Sequence, residues 1–320
     1  VPPAATVPAP TRRTGPLPVG QGHVLRWWES GAPDGIPLLL LHGGPGGRST
    51  RAQRTLADPR RFRLIQVDQR GCGASRPHGA LAANTTGHLL GDLEHLRTRL
   101  GVARWAVLGP SWGAALALAL AARHPHTVHA LVLSGVFLGS REEYAPLLEG
   151  RGVDAGVWAG FTAPLDAAEL DDVPAAYARR IADPGHPDHA LAVRNWAAFD
   201  AAQCGAAFAP HLIEATPALT AGVRVEAHYA RHGFFLGEQG VLDRIAGLDV
   251  PVEVVQGTGD ATGAASARRL RAALPHTRLT WVEAGHSALE PPLAAAIRAA
   301  LGGIADTVRP PARPGNVNLD

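Results

Sequence analysis

Apolar residues along this chain fall into two rhythms. Short apolar runs bounded by glycine, proline or polar clusters recur at His23–Trp28, Leu38–Leu41, Leu64–Val67, Trp105–Leu108, Val128–Leu133, Val252–Gln256 and Arg278–Val282. These predict strands, and the near-continuous runs such as Leu38-Leu39-Leu40-Leu41 predict strands covered on both faces, as in a parallel sheet. Between them the spacing turns helical. Leu89, Leu90, Leu93, Leu96 and Leu100 mark one face of a helix capped by Thr85 or Thr86, and Ala114–Ala122 is apolar all round, as a helix buried under the sheet must be. Strands alternating with helices give an α/β class: a mostly parallel, twisted sheet with helices on both faces. No internal repeat is visible.

Composition narrows what such a unit does. With 320 residues and 46% hydrophobic content there is chain enough for one core and an insertion. The net charge is +2, carried on the basic side by arginine alone. No basic run interleaves with aromatics, so no nucleic-acid partner is expected. No run of about 18 apolar residues predicts a membrane span. The proline-rich start lacks a basic region followed by an apolar one, so no signal peptide is read and a cytoplasmic protein is expected. Residues 1–20 and the Pro/Arg tail 309–320 are expected to be loosely held. Cys72 and Cys204 are the only cysteines and form no CxxC, which excludes a disulfide framework and a thiolate metal site. The 15 histidines are dispersed without HExxH spacing, so neither metal nor other cofactor is expected.

Candidate chemistry starts at Gly109-Pro110-Ser111-Trp112-Gly113, a G-x-S-x-G step between a strand pattern and a helix pattern. A serine on such a sharp turn is lifted out of the sheet with the positive end of the following helix behind it, and its flanking positions leave no room for a Cβ. Two later strands end in the partners an activated serine needs. Gly257-Thr258-Gly259-Asp260 follows Val252–Gln256, and Gly285-His286 follows Arg278–Val282. The order Ser111, Asp260, His286 is that of the α/β-hydrolase triad, with His286 as base and Asp260 fixing its tautomer.

Leu38–Leu41 opens into His42-Gly43-Gly44-Pro45-Gly46-Gly47. Such a glycine-rich loop lets backbone N–H groups reach a reacting carbonyl, so Gly43, Gly44 and the amide of Trp112 are the oxyanion-hole candidates. A phosphate loop is the competing reading, and it fails because no Lys-Ser or Lys-Thr follows.

Taken together, His42–Gly47, Asp68-Gln69-Arg70-Gly71-Cys72-Gly73-Ala74-Ser75-Arg76-Pro77-His78, Asn84-Thr85-Thr86, Ser111-Trp112-Gly113, Val255-Gln256-Gly257 with Asp260, and Gly285-His286-Ser287-Ala288-Leu289-Glu290-Pro291 resemble the proline iminopeptidase (prolyl aminopeptidase) family of serine peptidases. The likeness covers roughly residues 20 to 140 and 245 to 300, and the middle only loosely. It implies an α/β-hydrolase core over 1–140 and 244–320, an inserted helical cap over 141–243 that sets selectivity, no metal, and release of an N-terminal residue from a small peptide or aminoacyl substrate. It also implies cap carboxylates that hold the substrate's free amine. Arg224-Val225-Glu226-Ala227-His228-Tyr229 matches one such segment and nominates Glu226, and Trp196-Ala197-Ala198-Phe199-Asp200 offers Asp200 for the second. The resemblance also places Cys72 near the site, and there its thiol is expected to be open to thiol reagents.

Departures bear on substrate rather than chemistry. Pro110 stands where the family usually has glycine, Ala114 where serine is common, and Thr258-Gly259 where Arg-Tyr is frequent. An amidase or esterase acting on a natural-product intermediate through the same triad is therefore the alternative.

Overall fold

The computed structural model describes residues 7–151, 153–205 and 209–308. Eight strands form one sheet: β1 (Thr11–Gly20), β2 (His23–Gly31), β3 (Ile36–Leu40), β4 (Phe62–Asp68), β5 (Trp105–Pro110), β6 (Val128–Ser134), β7 (Val252–Gly257) and β8 (Arg278–Val282), in the spatial order β1-β2-β4-β3-β5-β6-β7-β8. The pairs β1–β2 and β2–β4 are antiparallel, and every pair from β4 through β3 to β8 is parallel. β3 sits between β4 and β5, so the chain switches direction across the sheet there. The loops at the carboxyl ends of these two strands and of β7 and β8 therefore converge on one edge, the usual place for a site in an open α/β sheet.

The tetraleucine run shows how the core is divided. Leu39 and Leu41 join one apolar cluster with Ile65, Val107 and Leu133, under α1 (Thr86–Arg99) and α2 (Trp112–Arg123). Leu38 and Leu40 point the other way into a second cluster with Leu64, Leu108 and Val132, under Leu293, Ile297 and Leu301 of the C-terminal helix Pro291–Thr307. Alternation of side chains along a strand covered on both sides requires this split. The Thr85 side chain caps α1 by accepting the His88 N–H, and Ala114–Ala121 of α2 are all buried.

Between β6 and β7 the chain leaves the sheet and, among the described residues, forms five α-helices: α3 (Arg141–Leu148), α4 (Ala155–Thr162), α5 (Val173–Ala182), α6 (His189–Gln203) and α7 (Pro217–Arg231). α8 (Ala261–Ala273) and α9 (Pro291–Thr307) complete the return to the sheet. Phe161 stacks between Tyr177 and Phe199, and Trp196 meets Phe161 and Tyr177 edge-on, between α4, α5 and α6.

One expectation fails. Thr11–Gly20 is not loosely held but is an edge strand paired to β2 along its length, with Leu17 buried opposite Leu25. Its prolines at 16 and 18 are compatible with an edge, where a missing N–H is harmless, and they hide the strand from a periodicity reading. Residues 1–6 and 309–320, also expected to be loosely held, lie outside the described residues. Among the described residues no helix is long and apolar enough to cross a membrane.

Candidate active site

Ser111 stands between β5 and α2 with φ 55° and ψ −127°, a conformation L-residues rarely adopt. Its strain is held by packing. A Cβ at Gly109 would come within 2.2 Å of the Gly113 carbonyl oxygen, and one at Gly113 would press on His42 and Leu41 at 3.3 Å. Main-chain bonds from the Ser111 N–H to Ser134 O (2.9 Å) and from the Ala114 N–H to Ser111 O (2.8 Å) close the turn.

His286 follows β8 and packs on the end of β6, where Gly135, at φ +52°, leaves room: a Cβ there would lie 3.0 Å from the imidazole. Its Nδ1–H donates to Asp260 Oδ2 at 2.8 Å, which leaves Nε2 free to take a proton. Asp260 is buried, accepts the Gly263 N–H at 3.0 Å and the Gln256 amide at 2.9 Å, and caps α8. Burial alone would raise its pKa, but the His286 hydrogen bond and charge, with the Gly263 and Gln256 donors, outweigh that and hold it below the usual carboxylate value. Burial likewise pushes His286 down, and the Asp260 hydrogen bond and charge, helped by Asp200 and Glu290, raise it above 6.5.

Two residues that the sequence reading gave no role brace this pair. Gln256 is fully buried, and its carbonyl oxygen accepts the Val136 N–H while its amide donates to Asp260, so it joins the ends of β6 and β7. Glu290 accepts the N–H groups of Gly285 and Ser287 and so clamps the backbone on both sides of His286. A buried glutamine just before the carboxylate loop and a glutamate four residues after the histidine were the available signals.

The glycine loop after β3 is oriented from behind. The Gln69 N–H donates to His42 Nε2 and its side-chain amide to His42 O, while its Oε1 accepts the Trp112 indole N–H at 2.9 Å. His42 Nδ1–H then donates to Gly43 O, and burial keeps its pKa low, as an acceptor at Nε2 requires. Gly43 lies against Ser111, its Cβ position 3.8 Å from the hydroxyl oxygen. Among the described residues the amide hydrogens of Gly43, Gly44 and Trp112 have no backbone acceptor.

Glu226 and Asp200 come from different helices, α7 and α6, and meet across the site. Removal from bulk water, then the charge of Asp200 and a hydrogen bond with it, raise Glu226 well above the ordinary carboxylate value. Asp200 is also raised, by desolvation, although its side chain opens on a cleft. α7 is pinned on both sides of Glu226. One turn before it, Gly222 crosses Gly46 so closely that a Cβ on Gly46 would lie 2.1 Å from Gly222 O. One turn after it, the Tyr229 hydroxyl donates to Asn84 Oδ1 at 3.1 Å, and His228 contacts Asn84 O. The motif segments containing Gly46 and Asn84 thus serve as seats for the helix that carries the carboxylate.

An inner cavity of about 150 Å³ is lined by Ser111, Asp260, His286, Gly44, Glu226 and Asp200, with Phe137, Tyr144, Trp196, Phe199 and Phe234 as apolar walls. A larger cleft of about 1120 Å³ shares Gly44, Asp200 and Glu226 with it and opens outward. Of the sequence-predicted residues, Gly43 and Trp112 stand behind this surface, Trp112 with its ring fully buried. A serine hydroxyl, an imidazole oriented by a carboxylate, and Gly44 on one cavity, with the Gly43 and Trp112 amides behind it, have what acyl transfer needs. The thiols do not contribute. Cys72 is buried, and burial with the Asp68 charge pushes it to about 12, so the expected accessibility to thiol reagents fails. Cys204 lines the inner cavity and is exposed there, yet partial desolvation and three nearby carboxylates push it to about 12 as well. No cluster of metal-ligating side chains occurs among the described residues.

Comparison with known proteins identifies the fold and the family. The α/β hydrolase fold family profile matches residues 36–292. A proline iminopeptidase of Neisseria gonorrhoeae is 38% identical over 291 residues, 89% of this chain and 93% of its own length. A probable proline iminopeptidase of Streptomyces coelicolor is 38% identical over 313 residues, 91% of this chain and 96% of its own. Among solved structures, that of proline iminopeptidase from Mycobacterium smegmatis matches with a TM-score of 0.60 over 92% of this chain and 99% of that one; at 23% identity this likeness speaks for the fold.

Proposed function

We propose, from the premise that this chain belongs to the proline iminopeptidase family of α/β hydrolases, that it removes an N-terminal residue, proline or another small one, from a peptide or aminoacyl amide. The observation that carries this reading is the single inner cavity on which the triad faces the acid pair. Its volume of about 150 Å³ suits one small ring, since an apolar cavity of that size accepts a benzene.

In this mechanism the substrate's terminal ammonium pairs with Glu226 and Asp200, and its ring fills the aromatic pocket. The Ser111 oxygen attacks the carbonyl carbon while His286 Nε2 takes the hydroxyl proton, and Asp260 stabilises the resulting imidazolium. Negative charge on the tetrahedral oxygen falls on the amides of Gly44 and Trp112, with Gly43 beside them. Collapse passes the proton from His286 to the leaving nitrogen and frees the shortened peptide through the outer cleft. Water, activated by the same imidazole, then hydrolyses the acyl-serine and releases the amino acid. The helices of 141–243 act as the cap that makes this an exopeptidase: an internal residue would bring an uncharged amide to half-buried Glu226 and cleft-exposed Asp200 and forgo the charge-assisted hydrogen bonds that a terminal ammonium makes there.

A fluorophosphonate probe together with a prolyl arylamide tests the assignment. The expected outcome is labelling at Ser111 and release of free proline, both lost in Ser111→Ala with the fold retained. Labelling at another residue, or turnover surviving in the variant, overturns it.

A further inference from the structure

The outer cleft is lined by charges of both signs. Its inner end is the acid pair, and its walls also carry Arg48, from the glycine loop, and Arg76 and His78, from the loop after β4, all three exposed. Asp68 ties the two loops together: its buried carboxylate accepts the Ser49 N–H and the Ala74 N–H, each at 2.7 Å. Gly73 admits this clamp, since a Cβ there would fall 2.0 Å from Asp68 Oδ2. The Arg76 backbone is further fixed by two hydrogen bonds with Val24, at 2.8 and 2.9 Å, and one arm of its guanidinium donates to Ser75 O and Gly73 O. The Arg48 guanidinium has no ion pair or hydrogen bond among the described residues.

Reach fits a short peptide. Arg48 lies four residues beyond Gly44, so the two Cα atoms are at most ~14 Å apart, the span of about four extended residues. A leaving group of one to three residues that starts at the scissile bond beside Gly44 therefore ends within range of a guanidinium. Arginine's planar fork matches a carboxylate.

We propose that Arg48 and Arg76 form a subsite for the C-terminal carboxylate of short peptides, so that the enzyme reads both ends of its substrate. This rests on the aminopeptidase reading above. The acid pair takes the terminal ammonium and the arginines take the terminal carboxylate, so peptides of two to four residues fit the cleft with both charges matched. Amidated peptides bring no charge to the arginines, and longer ones carry their carboxylate past them.

The test compares kcat/KM for Pro-Gly-Gly and for its C-terminal amide, within each enzyme preparation so that expression and folding cancel. Solvent-open arginine pairs contribute modestly, so the parent is expected to favour the free acid by about three- to tenfold, mainly through KM, and to lose that preference in high salt. The preference should fall in Arg48→Ala, vanish in the Arg48→Ala/Arg76→Ala double variant and reverse in Arg48→Glu. Equal values for acid and amide in the parent, or a preference that survives in the double variant, overturn the subsite. A parent that releases no proline from a prolyl arylamide contradicts the aminopeptidase reading instead.

Discussion

The triad and the acid pair face each other across one cavity, yet they are built by different means. Ser111, Asp260 and His286 each sit at the carboxyl end of a sheet strand, and each is fixed by local backbone: the Gly109–Gly113 crossing, the capping bond to Gly263, the Glu290 clamp. Glu226 and Asp200 sit mid-helix and late-helix on α7 and α6, and only helix-to-core packing brings them together. The electrostatics differ in the same way. On the triad side hydrogen bonds overcome burial and lower the Asp260 pKa, whereas on the other side two carboxylates crowd together and raise Glu226. On the proposed mechanism a preorganised catalytic charge thus faces a pair that a cationic substrate would complete.

The largest effect expected from breaking this contrast is on the triad side. Asp260→Asn should lower kcat by on the order of 10⁴, because an amide favours the wrong imidazole tautomer. In the parent, kcat/KM should fall as pH drops through a value above 6.5, since the raised His286 must be neutral to accept a proton. In Asp260→Asn the acid limb of the residual activity should move down, because the anion that raises His286 is gone and burial remains. Stopped assays across pH 5–9 read both effects, and an unmoved limb would assign it to another group.

Next in size is the acid pair. Glu226→Gln should reduce kcat/KM for free-amine substrates by roughly 30- to several-thousand-fold, the cost of removing one partner of a desolvated charge pair. The matching measurement is proton release: binding of a free-amine inhibitor should expel a proton from the raised Glu226, seen in calorimetry as a heat that varies with buffer ionisation enthalpy. A heat independent of buffer would mean the pair is already ionised.

The smallest effect sits between the two regions. Gly222→Ala places a Cβ 2.8 Å from Gly46 O and must move α7 by a few tenths of an ångström, while alanine suits a helix better than glycine. Misplacement on that scale should cost about tenfold in kcat/KM for free-amine substrates, with circular dichroism unchanged. An equal loss on an ester that lacks an amine would mean that the shift disturbs the triad instead of the amine site.

The same contrast explains what could be read from the sequence. Ser111, Asp260 and His286 were legible because a strand ending in a glycine-bounded loop constrains its residues locally, and the apolar runs of a doubly covered sheet are hard to mistake. Glu226 and Asp200 carried no such local mark; their meeting depends on Gly222 against Gly46 and on Tyr229 against Asn84, contacts 176 and 145 residues apart in the chain. Nor could β1 be seen, because its apolar contact is confined to Leu17 and the half-buried Val19 and its prolines resemble a loop. Gln256 and Glu290 stood inside motifs already noted, but their hydrogen bonds to the triad's neighbourhood are tertiary facts.

The account's central claim is that one cavity pairs an acyl-transfer serine with an ammonium-reading acid pair. Its most direct test is the ratio of kcat/KM for prolyl arylamide to that for N-acetylprolyl arylamide in the parent enzyme. The free amine should be favoured by at least about 10², since the blocked substrate brings no charge to pair with Glu226 and Asp200. Equal turnover of the two would contradict the claim and leave the triad serving an esterase or amidase.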